Sequence, residues 1–540
     1  MMYRHHKPGQ HLWTRTRLLL LFLLGAATRQ AWGNSSVFTI SLLTGISSLP
    51  QSCQTYARSS PEISELLLGA TSRPSSDSYH ALGESFAQQS QIPCAIAAYK
   101  LALELDPRAW NIRYSLALTL LKTGDSDRAA SELRTVIGQE PNSFMAHNAL
   151  GLALEELGEL EAAREEYEQA VRLNSSFALG YYNLAHVLSM QKRFSAAVFY
   201  SQKAVSLDTQ EPAYQLALGI AYSEEGKIEN SIQVLRKLIA SHPDFIEAYI
   251  NLGTVYGRQE HFDKAVKSYR QALKFDPGNL EALLSLGIAL VAKLQAKEAV
   301  GVLKNYIARQ PSGYQGYYWL GRAYKYLTQY QEAADALETA SLLNTDDYEV
   351  RYNLGVVLID LGRLREGARQ LEAAKKLNPQ GADVRYQLAG VRRRLNDPKE
   401  ANEELKAFQA LKLRDQQKVR AVKYHNEGNE LLAAGKFTQA AEQFRQALEL
   451  NPDSPRLHYN LSLALKELGD REGQKRELET AIQLDPNLAP AHYWLGQLYR
   501  VQGNLSRAEQ ALKTAVAIDP QFVEAQDSLS SLQGSGRPNH

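Results

Sequence analysis

Apolar residues along this 540-residue chain fall in short runs at offsets of three and four, and the runs come in pairs. Within 246–279, Tyr249, Leu252, Gly253 and Tyr256 share one helical face, and Ala265, Tyr269, Ala272 and Leu273 share another. A breaker separates the two runs. In seven units it is glycine (Gly124, Gly158, Gly226, Gly362, Gly435, Gly469 and Gly503), where a helix C-cap takes a residue tolerant of positive φ. Asp276-Pro277 then closes the pair, because the residue before a proline is driven out of the helical region.

The pattern returns every 34 residues. Gly83, Ala117, Gly151, Ala185, Gly219, Gly253, Gly287, Gly321, Gly355 and Ala389 mark the step, which resumes after a five-residue insertion at Gly428, Ser462 and Gly496. A second series of small residues trails by twelve, from Ala95 and Ala129 to Ala440 and Ala508, with Gln474 as its exception. Two coupled small-residue series require two backbones to approach closely in every unit. Such a period predicts an all-α stacked solenoid rather than a globular enzyme core.

Units begin at 76, 110, 144, 178, 212, 246, 280, 314, 348 and 382, then at 421, 455 and 489. The resulting division is ten repeats over 76–408, a helical insertion at 409–420, three repeats over 421–520, and a capping helix and tail at 521–540. Residues 399–423 hold no Gly or Pro and read as one extended helix between the arrays. Residues 34–75, rich in Ser, Thr and Pro, read as a linker with a helical period only near Glu62–Leu68. At the N-terminus, Arg4, Lys7, Arg15 and Arg17 flank the apolar run Leu18–Leu24, and Ala31-Trp32-Gly33 offers a cleavage site. Residues 1–33 therefore read as a signal peptide, with an uncleaved membrane anchor as the alternative. The expected location is exported, periplasmic or secreted.

Unit positions 4 (aromatic or large), 7 (Leu), 8 (Gly or Ala), 11 (Tyr or Leu), 20 (Ala), 24 (aromatic or Leu), 27 (Ala) and 32 (Pro) carry a resemblance. The unit at 246 fills every one. The pattern resembles the tetratricopeptide repeat, across residues 76–520 apart from the insertion. The resemblance implies a right-handed superhelical solenoid of helix-turn-helix repeats and names an architecture, not an activity.

Charge adds little. Sixty basic and 59 acidic residues leave +1, so no global field draws nucleic acid or an anionic membrane. The Arg392-Arg393-Arg394 run is the one dense basic patch and reads as a solvated helix face. Two cysteines, Cys53 and Cys94, are too few for a disulfide framework, and spacing leaves open whether they pair. No HExxH, GxxxxGK[ST], strand-borne GxGxxG or CxxC pair occurs, so no catalytic residue, cofactor or metal is expected. His147, His458 and His492 hold position 4 and are expected to pack in the core.

At about 100° per residue, positions 2, 5, 6, 9, 12 and 13 of each first helix face away from positions 4, 7, 8 and 11. By the resemblance, this second face lines a concave groove that takes ligands. Position 5 is Tyr in seven units, among them Tyr318, Tyr352 and Tyr386, and position 6 is Asn in five: Asn183, Asn251, Asn353, Asn426 and Asn460. An amide can bond an extended peptide whatever its side chains, and tyrosine supplies stiff area with a polar tip. The set looks like the asparagine ladder of O-linked N-acetylglucosamine transferases, though eight units lack the Asn. Asn and Tyr that satisfy local bonds and pack between neighbouring first helices would be the purely structural alternative. The units at 314, 348 and 382 are the richest, with Tyr318, Trp319, Arg322, Lys325 and Tyr326 in the first followed by Tyr352, Asn353, Tyr386 and Gln387. This aromatic and basic combination suits acidic or C-terminal segments, tempered by Glu247, Glu281, Glu349 and Asp383 at position 2.

A carboxylate clamp, as in chaperone-adaptor repeats, is not expected at 421–520. Asn429 and Asn460 match, but His425, Pro490 and Trp494 replace its cations. The function expected is a non-catalytic scaffold binding extended segments of partner proteins. A targeting subunit for a glycosyltransferase-like enzyme on another chain and an RNA-binding helical repeat are the alternatives. No small-molecule substrate is expected, and membrane contact only through an uncleaved N-terminal segment.

Overall fold

A computed structural model describes residues 49–535, and the signal or anchor expected at 1–33 lies outside them. The described residues form helices joined by short turns, with no strand among them. They fall into two compact units, 49–227 and 228–535.

Repeats that lie within one compact unit are helical hairpins, such as Ile246–Arg258 with Phe262–Phe275. The small residue at position 8 exists because the position-24 side chain lies across it. A Cβ built on Gly151 would stand 2.6 Å from the Tyr167 ring, and on Gly287 2.4 Å from Leu303. Position 20 meets backbone instead: a Cβ on Gly367 would lie 2.8 Å from the Gly355 carbonyl oxygen. Tyr167, Tyr269 and Phe444, all at position 24, are among the largest fully buried side chains.

The turn at position 15 is left-handed in all thirteen units. The seven glycines there have φ between +72° and +89°, and Ser90, Lys192, Glu260, Leu294, Thr328 and Asn396 adopt φ of 59–62° without the glycine licence.

Residues 34–48 of the expected linker lie outside the described residues, and residues 49–75 correct the rest of that expectation by being mostly helical. Helices Gln51–Ser59 and Pro61–Ser72 lie there, with Cys53, Ala57, Ile63, Leu67 and Ala70 buried. Cys53 is bridged to Cys94 on the second helix of the first repeat, and Tyr56 donates to Gln89 Oε1 at 3.2 Å. The short apolar spacing in the first of these helices is hidden by its polar composition. A single helix, Pro398–Ala433, is both the second helix of the unit at 382 and the first helix of the unit at 421. The last helix, Val523–Ser535, buries Ala525, and Gln497 of the preceding repeat donates to Ser528 at 2.6 Å.

Candidate functional site on the first helices

Positions 5 and 6 turn out to be coupled across repeats. Position 5 of one unit meets position 6 of the next: His80 with Ser115 at 3.2 Å, Asn148 with Asn183 at 2.9 Å, Tyr318 with Asn353 at 3.5 Å, and His425 with Asn460 at 2.7 Å. Tyr352 bonds Gln387 in the same register. These rungs join consecutive first helices inside each compact unit. Each neutral bond contributes about 1 kcal/mol, and breaking one leaves a covered polar group at greater cost.

The rungs correct part of the expected contact set. Asn183 is fully buried and donates to Asn148, so it is a spacer between helices and not a groove contact. Asn353 is buried as well, its amide shared between Tyr318 and the Glu349 carbonyl. Asn251 is half-buried and donates to the Glu247 carbonyl of its own helix at 2.9 Å. Asn460 is half-buried and donates to Asn429 Oδ1 at 2.7 Å while meeting His425, so the residues weighed for a clamp bond one another. Asn426 and Tyr386 alone of the set are exposed.

The unit at 314 remains the densest cluster. Tyr318 and Trp319 are mostly covered and packed edge to face, their ring centroids 5.2 Å apart. The Arg322 guanidinium stands 4.7 Å from the Trp319 ring centroid and 5.8 Å from that of Tyr318. Lys325, one helical turn on and half-buried, has its pKa lowered by burial and by Arg322, with Asp360 opposing. No carboxylate among the described residues lies within salt-bridge distance of Arg322 or Lys325, although most half-buried cations of this chain are paired. Tyr352 stacks on Tyr348 at 6.0 Å in the next unit. On the preceding unit, burial and then the charge of Glu247 push the Glu281 carboxyl up to about 7.

A second recurring device was missed from the sequence. The position-4 side chain reaches the position-32 carbonyl of the preceding unit and the position-23 side chain of its own. His147 meets Pro141 O at 3.0 Å and Glu166 at 2.6 Å, and His458 meets Pro452 O at 2.9 Å and Glu477 at 2.6 Å. Arg113 with Glu132 and Arg385 with Glu404 repeat it. The signal was present as a base or imidazole nineteen residues before an acid. His492 keeps only the carbonyl, Pro486 O at 3.0 Å. The three histidines thus clasp turns rather than fill an apolar core.

The Arg392–Arg394 run is also divided. Arg392 is held between Glu372 at 3.2 Å and Glu400 at 2.9 Å, whereas Arg393 and Arg394 are exposed. Among the described residues no group of three or more His, Cys, Asp or Glu is arranged to hold a metal ion, and no helix is long and apolar enough to cross a membrane.

Repeated hairpins with these packing positions define a helical-repeat protein. Models described as tetratricopeptide repeat or TPR repeat match residues 80–244, 246–279, 318–412 and 428–532, well over half the sequence, and the chain belongs to the tetratricopeptide repeat family. It is similar to the human protein O-mannosyl-transferase TMTC3, 24% identical over 31% of this chain and 19% of that protein. It is similar too to the bovine BBSome complex member BBS4, 27% identical over 27% of this chain and 31% of that one. The chain thus spans less than a third of the length of either relative. Among solved structures, the APC/C hetero-tetramer Cut9-Hcn1 shows 17% identity, covers 87% of this chain and 98% of that chain, and has a TM-score of 0.34.

Proposed function

We propose that this protein is a non-catalytic scaffold that holds extended segments of partner proteins against the first helices of its repeats, with the unit at 314 as the main contact. The observation that carries the reading is the Arg322 guanidinium over the Tyr318 and Trp319 rings, with half-buried Lys325 one helical turn on and neither cation within salt-bridge distance of a carboxylate among the described residues. A half-buried ammonium whose pKa is depressed by burial gains when an anionic group reaches it. A guanidinium already stacked on an indole is pre-oriented for a carboxylate, which reduces the ordering cost of binding. The occupant favoured is an acidic stretch, with its remaining bonds made to exposed polar groups and not to the buried Asn rungs.

The reading extends to an exported location, supported by the Cys53–Cys94 bridge, since disulfides persist in oxidising compartments. Affinity capture with the intact protein from its own cell envelope or culture fluid tests the function. The charge-reversed Arg322→Glu/Lys325→Glu protein should lose the partners that the wild type retains. Identical partner sets at equal thermal stability would remove the proposal.

A further inference from the structure

Between the units at 382 and 421 the rung of positions 5 and 6 is not formed. Tyr386 holds position 5 of the unit at 382, and Asn426 holds position 6 of the unit at 421. Because Pro398–Ala433 is continuous, no turn brings the second unit's first helix back alongside Tyr386. Residues 409–420 set the two apart by roughly 18 Å of helix. The side chains record the separation. Tyr386 is 56% exposed against 8% for Tyr318, and Asn426 is exposed where Asn183 is 0% exposed.

What uncovers the rung also leaves charge. Arg393 and Arg394, at positions 12 and 13 of the same first helix, are exposed, as are Lys418 and Arg420 on the inserted segment. None of the four has a carboxylate within salt-bridge distance among the described residues. Beside them, Tyr386 leans on Phe408 with ring centroids 5.3 Å apart, and the Lys412 ammonium lies over Phe408 at 5.7 Å. The surface is an aromatic step rimmed by these four cations, with the exposed Asp383 carboxylate one helical turn before Tyr386.

We infer that this opened rung is a docking site for an acidic amphipathic α-helix of a partner protein. Where a polar rung closes, the covering element is a first helix carrying Ser115, Asn183, Asn353, Gln387 or Asn460 opposite position 5. Helices at packing distance sit 8–10 Å apart, a gap that a helix fills and a single extended strand does not. The rim selects negative charge by complementarity. The site lies outside the Arg322 cluster and does not depend on it.

The probe is a fluorescein-labelled peptide held helical by a lactam bridge, bearing Asn opposite Tyr386 and Glu along its flanks, titrated with the full-length protein by fluorescence anisotropy. Saturable binding should weaken about tenfold or more with Tyr386→Ala and with Arg393→Glu/Arg394→Glu, and stay unchanged with Arg322→Glu. If Tyr386→Ala lowers the melting temperature, the arginine pair decides. Four results overturn the inference: no binding, binding indifferent to both variants, equal binding of a proline-interrupted peptide of the same charge, or equal binding of single-stranded polyuridine. Sedimentation showing a dimer of this chain that Arg393→Glu/Arg394→Glu dissolves would assign the surface to a second copy, and so overturn it too.

Discussion

His147 Nδ1 lies 2.6 Å from a carboxylate oxygen of Glu166 while its Nε2 meets the Pro141 carbonyl at 3.0 Å, so both ring nitrogens face acceptors. A ring that donates twice is cationic. The Glu166 bond, opposed by burial, raises the His147 pKa, and in His458 burial lowers the pKa but is overcome by the Glu477 and Pro452 bonds together with the Glu477 and Asp453 charges. A raised histidine pKa gives stability that is complete below the unfolded value near 6.5 and is lost as pH rises through the folded value. The melting temperature of the array should therefore fall as pH rises above about 6.5. In His147→Gln/His458→Gln that pH slope should flatten, a comparison open to calorimetry.

Glu281 adds to the same slope. Its carboxyl, raised to about 7 by burial and Glu247, binds a proton in the folded chain that the unfolded chain releases. Stability is thus lost as pH climbs from about 4.5 to 7. Glu281→Gln should melt higher than wild type at pH 8 and near it at pH 5. An equal effect at both values would refute burial of the charge as the cause.

Leu294 occupies the left-handed turn with φ +62° and its side chain 68% exposed. Replacing it with glycine removes the Cβ clash at no cost in packing. Leu294→Gly should stabilise residues 228–535 by about 0.5–1 kcal/mol, after the extra unfolded-state entropy of glycine is counted. Urea unfolding measures it, and destabilisation would contradict the strain.

The Cys53–Cys94 bridge closes a loop of 41 residues. Chain-entropy arguments assign such a loop about 4 kcal/mol. Cys53→Ser should strip hydrogen-exchange protection from 51–72 and leave 314–394 unchanged. Unchanged protection at 51–72 would mean that packing of Ile63 and Ala70 suffices without the bridge.

The period, the hairpins and the close approach at positions 8 and 20 were legible because each rests on spacing within one unit. The helices at 51–72 were not legible because Ser and Pro mask the short buried faces around Cys53 and Ile63. Left-handed turns at Lys192 or Thr328 escaped notice because glycine alone announces that conformation. The Asn and Tyr positions were found, but not their pairing, since whether Asn183 meets a ligand or Asn148 depends on how two repeats are set side by side. Arg392 read as part of a patch because its partners Glu372 and Glu400 sit on other helices.

The proposed contact for partners lies across the first helices near Arg322 and Trp319. Its most direct test places a photo-crosslinking phenylalanine at Tyr326, which is exposed beside that cluster, and at Leu342, exposed on the second helix of the same repeat. Ultraviolet irradiation in the producing cell followed by mass spectrometry should join position 326, and not 342, to an acidic extended segment of another protein. Equal labelling from both positions, or none from 326 while partners are still captured, would contradict the account.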